Sequence, residues 1–449
     1  MEKVFKIDKQ TYQDLQIFGE HHQSVFACFD KTITVGGKEA LQYIFYHPSY
    51  DLHVIQSRQQ AILACLNSNL IFPFDRGMME DLSKYWRSAF SDADRKNTLW
   101  STIALWEQYS ASFYYKKCYI QDTVQILRQL DDLLVTLDSH GNSNPILAFE
   151  NIQLIVRQCL TVIVGNDFKT RKMKVSRRNI HIYDENIRVH LTDKMQKILE
   201  FIYDLDAYTA IAATAKKMKL TFPRVHVPGS LDTIEIEGLY HIFYEKSVNN
   251  DISFERQCNL WFLTGANMAG KSTLIKALSI AIYLTHIGLP VPARSMHTPV
   301  LDGLYTTINL PDNLEAGYSH FYHEAIRLRD IIDQLESNSN SFIVLDELFT
   351  GTNYQDACAS TKKVVQYLTK LERPFIIISS HLTELVDGIK AYPNVQLYCM
   401  KTELAKNEIP KFTYQLGEGV ANEKLGLWLL ERSGLLDAVE ELMIKNSRQ

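Results

Sequence analysis

The stretch Leu263–Thr273 reads "LTGANMAGKST" and holds Gly265-x-x-x-x-Gly270-Lys271-Ser272, the glycine, lysine and hydroxyl spacing of a phosphate-binding loop. By composition alone such a pattern turns up in roughly one or two chains in a hundred of this length. Its flanks argue against chance: the apolar run "LWFL" precedes it and the helical run "STLIKALSIAIYL" follows. Strand, loop and helix in that order aim backbone N–H groups and a helix N-terminus at bound phosphates. Gly265, Ala266, Asn267, Met268, Ala269 and Gly270 then form the cradle, and Lys271 reaches the β and γ phosphates. Ser272, followed by Thr273, offers its hydroxyl to Mg2+.

Such a loop works with an acid at the end of another buried strand, and "FIVLDE" (342–347) ends in two. Asp346 is placed to hold the Mg2+ shell, and Glu347 to orient or deprotonate an attacking water. Alone, an apolar run ending in Asp-Glu is equally a strand running into a turn; the phosphate loop favours catalysis. A third apolar run, "PFIIISSH" (374–381), ends at His381, where an imidazole can sense or stabilise a γ-phosphate. The polar segment "DNLEAGYSHF" (312–321) places Ser319 beside Gly317. Its hydroxyl can cap the following helix or meet a phosphate on another subunit.

The three runs, separated by helical stretches, read as strands of a parallel sheet buried on both faces, so the second half is an α/β nucleotide-binding domain. The first half is mainly helical. In "CYIQDTVQILRQLDDLLVTL" (118–137) apolar residues recur at three- and four-residue spacing. The texture changes after "LTFPRVHVPGS" (220–230). The expected division is a helical domain at 1–225, an α/β domain at 226–430 and a helical tail at 431–449.

At 449 residues, 46% hydrophobic and 22% charged, the chain has the composition of a soluble globular protein with two or three domains. With 52 acidic against 47 basic side chains the net charge is −5, so nucleic acid would have to be met by a local basic patch. The run "KTRKMKVSRR" (169–178), six Lys and Arg in ten residues, is either such a patch or a solvated loop. Seven scattered cysteines without a C-x-x-C pair argue against a disulfide framework or a zinc site. The N-terminus lacks a secretory signal, and the most apolar window, 274–291, contains Lys276 and His286. No membrane association is expected, and the expected location is cytoplasmic.

With these pieces in order, the second half resembles the ATPase domain of the MutS family of DNA mismatch repair proteins. "TGANMAGKST" is similar to the family's T-G-P-N-M-G/A-G-K-S-T, with Asn267 and Met268 at its characteristic inner positions. "HIGLPVPA" (286–293), "DNLEAGYSHFYHE" (312–324), "LDELFTGTN" (345–353) and "SSHLTEL" (379–385) resemble its further motifs in register. "FDKTITVGGKEALQYIFYHP" (29–48) resembles the signature that opens the family's helical lever domain. "LDAYTAIAATA" (205–215) is similar to the lever helix returning to the ATPase, and "FTYQLGEGVANEKLGLWLLERSGL" (412–435) to the approach to its dimerisation helices.

The resemblance implies a mainly α lever domain followed by an α/β P-loop ATPase domain of the ABC class, with a short helical C-terminal dimerisation segment. It implies ATP and Mg2+ as cofactors and a homodimer with ATP at the interface, Ser319 completing the partner's site in trans. DNA is the implied partner. Because the chain starts almost at the lever signature, the mismatch-wedge and connector domains are expected to be missing and recognition not to be mismatch-specific. No C-terminal nuclease domain is expected. Phe243-Tyr244-Glu245, a Phe-x-Glu, lies too close to the ATPase strands to be the wedge. The interval between the two lever motifs is short, so a DNA-gripping clamp near 150–195 is expected to be reduced or absent. Ser247 and Gln396 stand where the family carries an aromatic ring and a histidine on the base, so weaker base stacking is expected. The competing readings are a nucleotide-switched protein-interaction module and a P-loop kinase for a small molecule.

Overall fold

The computed structural model describes residues 4–19, 23–89, 106–139, 147–169, 172–227, 229–244, 246–308, 320–349, 351–403, 411–421, 433–435, 438–439 and 443. The first half is built from α2 (Val25–Phe29), α3 (Val35–Tyr46), α4 (Leu52–Asn67), α5 (Arg76–Arg87), α6 (Trp106–Ser139), α7 (Leu147–Val164), α8 (Ile180–Glu185) and α9 (Thr192–Met218). Along α6, Ile120, Val124, Leu127, Leu130, Leu134 and Leu137 are buried, the stripe expected of one helix face. Asp131 interrupts that stripe at 1% exposure and is tolerated there because Arg157 Nε of α7 donates to its Oδ1 at 2.7 Å.

One carboxylate ties the start of this half to its last helix. Asp206 of α9 is fully buried and accepts from Ile33 N at 3.0 Å, Thr34 N at 2.7 Å and Thr34 Oγ1 at 2.7 Å. Thr34 in turn caps α3 through Gly37 N at 2.9 Å. A Cβ on Gly37 would lie 2.1 Å from Asp206 Oδ2, and one on Gly36 2.3 Å from the Tyr203 ring, so both positions need glycine for close approach.

The second half carries two sheets. The smaller holds β2 (Arg224–His226), β3 (Thr233–Leu239), β4 (Asn250–Glu255) and β6 (Ser295–Pro299) in the order β2-β6-β3-β4. The larger holds β5 (Leu260–Thr264), β7 (Gly303–Thr307), β8 (Ser341–Asp346), β9 (Phe375–Ser380), β10 (Val395–Glu403) and β11 (Lys411–Glu418). With β1 (Lys6–Ile7) at its edge, its order is β1-β7-β8-β9-β5-β10-β11, parallel throughout except for β11. Strand β5 is buried at every residue, as a central parallel strand must be. Helices α10 (Lys271–His286), α11 (His320–Leu335), α12 (Tyr354–Leu368) and α13 (Val386–Ile389) complete this half.

The edge strand of the larger sheet comes from within residues 1–225, the part expected to be mainly helical. Strand β1 (Lys6–Ile7) pairs with β7, Lys6 opposite Gly303, and α1 (Lys9–Asp14) follows it on the same sheet edge. The N-terminal segment thus belongs to the α/β half before the chain enters α2. A single apolar cluster runs from Phe5 and Phe45 through Tyr283 to Val344, so the halves share one core. Arg58 Nη1 donates to Ile287 O at 2.7 Å and Ser49 N to His286 O at 2.7 Å, joining the end of α10 to the helical half. Among the described residues no helix is long and apolar enough to cross a membrane.

Candidate nucleotide site

The carboxyl ends of β5, β8 and β9 lie side by side, the place where open α/β sheets bind ligands. From β5 the chain turns through 265–270 into α10. Gly270, at φ 100, begins that helix in a conformation closed to most side chains, and a Cβ there would approach Tyr414 Cδ1 at 3.1 Å. Met268 (φ 69), Glu347 (φ 50), Phe349 (φ 62) and Tyr414 (φ 55) are non-glycine residues held in the left-handed region around the same spot. Such backbone strain persists only where the surroundings enforce it.

Lys271 is 5% exposed, and its Nζ donates to Gly265 O at 2.9 Å and lies 3.5 Å from Glu347 Oε1. Ser272 Oγ donates to Asp346 Oδ2 at 2.7 Å, while Ser379 of β9 donates to the other carboxylate oxygen. Burial pushes the Asp346 carboxyl above its ordinary range, although the bonds from Ser379 and Ser272 pull it back. Glu347, half-exposed, has its Oε1 3.9 Å from His381 Nδ1. The structure therefore brings Lys271, Ser272, Asp346, Glu347 and His381 to one end of the sheet. Ser319 and the rest of 309–319 lie outside the described residues, as does most of the tail expected at 431–449.

These groups border a cavity of about 550 Å³ lined by the loop, Asp346 and Glu347, and also by Thr307, Ile308, Glu324 and Tyr414. A hydroxyl and a carboxylate oxygen in contact are the hard oxygen donors Mg2+ takes when it also holds phosphates and water, so the residues present fit that ion. Glu324 was within reach of the sequence, as the last residue of the motif that starts at Asp312. Thr307, Ile308 and Tyr414 carried no signal of their own.

A second cavity, of about 460 Å³, shares Gly270, Thr273 and Tyr414 with the first and is walled by Tyr240, His241, Phe243, Tyr244, Ser247 and Met400. Burial, with Lys276 nearby, lowers the His241 pKa to about 4, so its ring is neutral at pH 7. It packs on Tyr244 with centroids 4.9 Å apart. Ser247 Oγ accepts from His241 N at 3.0 Å. Gln396 does not line this cavity; β10 contributes Met400 instead, and Gln396 Oε1 accepts from Tyr398 at 3.4 Å. Aromatic surface is thus present beside the phosphate loop despite the serine at 247.

Residues 261–446 match the family model for MutS domain V. The DNA mismatch repair protein MutS of Thermotoga maritima is 31% identical over 261 residues, 57% of this chain and 32% of that protein. Residues 261–446 thus belong to the MutS domain V family. The MutS of Wolbachia pipientis is 31% identical over 195 residues, 43% of this chain and 22% of its own. That of Pseudothermotoga lettingae is 29% identical over 273 residues, 59% of this chain and 33% of its own. The chain thus spans about a third or less of the length of these curated relatives. MutS domain V is an ATPase domain, and its match contains the phosphate loop, Glu324, Asp346, Glu347, His381 and Tyr414. The aromatic wall at 240–244 precedes it.

Among the described cations of the basic run, Lys169, Lys172, Lys174, Arg177 and Arg178 are exposed. Lys169 Nζ is 3.9 Å from Asp131 Oδ2, and Arg177 sits over the Phe113 ring at 5.5 Å.

Proposed function

We propose that this chain is an ATPase of the two-subunit ABC type whose nucleotide cycle moves helical levers on DNA. The observation that carries the reading is the contact of Ser272 Oγ with Asp346 Oδ2 at 2.7 Å, beside Lys271 and Glu347. Lys271, which donates to its own loop carbonyl, exchanges that acceptor for β- and γ-phosphate oxygens. Ser272 and Asp346 hold Mg2+, which neutralises charge gathering on those phosphates. Glu347 orients or deprotonates the attacking water, and His381 meets the γ-phosphate from the next strand end. The adenine ring enters the aromatic cavity, with Tyr244 and Tyr414 in place of an aromatic at 247.

Ser319 is proposed to complete the site of a second copy, so that the homodimer closes on ATP and opens after hydrolysis. The helical half is proposed as the lever, because the helix leaving the phosphate loop ends against Ser49 and Arg58. The relatives are named for DNA mismatch repair, and DNA is proposed as the partner here. Recognition by shape and backbone charge, without mismatch reading, suits the exposed cations of 172–178, since phosphate contacts carry no sequence information.

Mixing two inactive variants tests the shared site. Lys271→Ala spoils a subunit's own loop, and Ser319→Ala spoils what it lends its partner. Each alone should be inactive, while the mixture should regain ATP turnover through the one intact site of the mixed dimer. No recovery on mixing would rule out an interfacial site.

A further inference from the structure

The N-terminal segment 5–17 lies outside the MutS domain V match, yet it touches the wall of the phosphate cavity at several points. Strand β1 and helix α1 are too short to hold a position by themselves, so their contacts decide where they sit. Those contacts converge on the end of β7. Thr306 N donates to Thr11 Oγ1 at 3.0 Å, and Asp14 Oδ2 accepts from Thr306 Oγ1 at 2.7 Å and from Ile308 N at 2.9 Å. Asp14 is 2% exposed, and a buried carboxylate is tolerable only when its acceptor positions are filled in set geometry. Asp8, which caps α1 through Thr11 N at 2.8 Å, uses its other oxygen to pair with Arg327 of α11. Arg327 also donates to Thr306 O at 2.9 Å.

Thr307 and Ile308 line the phosphate cavity, and so does Glu324, which precedes Arg327 by about one helical turn. The segment therefore holds both parts of the cavity wall facing the loop, the strand end through Asp14 and the helix through Asp8 and Arg327. It then runs into the helical half: Val25 N donates to Gln16 O at 2.9 Å and Phe26 N to Ile17 O at 3.0 Å.

We propose that Asp8 and Asp14 are positioning residues for ATP hydrolysis, the N-terminal segment acting as a brace that keeps Thr306–Ile308 and α11 in register with the phosphate loop. The proposal rests on the ATPase reading of the site. The brace does not bind the nucleotide; it fixes the wall against which the reacting phosphate is aligned, so its loss shows in turnover more than in binding.

Asp8→Asn tests this cleanly, because an asparagine Oδ1 still caps α1 while the charge opposite Arg327 is gone. In the full-length protein the dissociation constant for Mg-ATP is expected to stay within about twofold while kcat falls about tenfold. Arg327→Gln should cause the same split, and the double variant little further loss, since the two act as one pair. Unchanged kcat in both single variants, fully additive losses, or a parallel fall of ATP affinity, kcat and Tm would each overturn the brace. A wild-type protein that neither binds nor hydrolyses ATP would instead defeat the ATPase reading, so the two failures are distinguishable.

Discussion

Asp346 and Glu347 are consecutive carboxylates with different surroundings, and the difference sets what each can do. Asp346 is enclosed by Ser272 and Ser379, and burial raises its pKa, so protons compete with Mg2+ for it further up the pH scale than for an ordinary carboxylate. Mg2+ titrations of ATP binding should therefore show apparent affinity declining, as pH falls, before the ordinary carboxylate range is reached. Glu347 is half-exposed and turned by its left-handed backbone toward Lys271 and His381. In Glu347→Gln, ATP should still bind while turnover falls about a hundredfold or more; unchanged turnover would remove Glu347 from the chemistry. His286 gives a stability prediction of the opposite kind. It is fully buried, its Nδ1 bonded to Ile282 O and its Nε2 accepting from Leu301 N, and burial lowers its pKa to about 4. Between pH 6.5 and 4 the unfolded chain binds the proton and the folded one does not, so stability is complete above pH 6.5 and is lost on acidification. Denaturant unfolding should show up to about 3 kcal/mol lost from this group across that window.

Elements with strong local patterns were readable in the sequence, and those held only by distant contacts were not. The runs "LWFL", "FIVLD" and "FIIISS" announce buried strands because every side chain must be apolar when both sheet faces are covered, and β5, β8 and β9 occupy them. The residues around 30–37 and 205–208 resemble family signatures, and nothing in their local spacing supplies a physical reason. The reason is Asp206, whose carboxylate satisfies the backbone at 33 and 34 across the fold. Asp206→Ala should cost about 3 kcal/mol, since it strands buried donors in the turn before α3; a Tm within a degree of wild type would contradict this. Strand β1 is illegible in the sequence because two residues carry no periodicity, and its pairing with β7 joins positions almost three hundred residues apart. The aromatic lining of the cavity beside Ser247 is illegible locally for a related reason. Tyr414 comes from a hairpin and Tyr244 from a turn, and neither position is marked by local spacing.

The molecule joins a helical half to a nucleotide sheet through one continuous core, so a shift at the phosphate loop need not cross a loose linker to reach the helices. Contacts run along two sides: α10 leads from the loop to Ser49 and Arg58, and the N-terminal segment leads from the cavity wall to α2. That layout suits an ATP-driven lever, in which small rearrangements at the site are amplified by bistable packing. The MutS domain V match accounts for the α/β half, while the proposed action on DNA rests on the helical half and its exposed cations. The most direct measurement is salt-titrated binding of the Glu347→Gln protein to junction, fork, loop, mismatched and plain duplex DNA, with and without ATP. The expected result is ATP-dependent affinity that falls linearly with log salt and does not favour the mismatched duplex over shape-matched controls. No ATP-dependent binding to any of these DNAs at low salt would contradict a DNA-acting lever and favour a nucleotide switch that binds a protein partner.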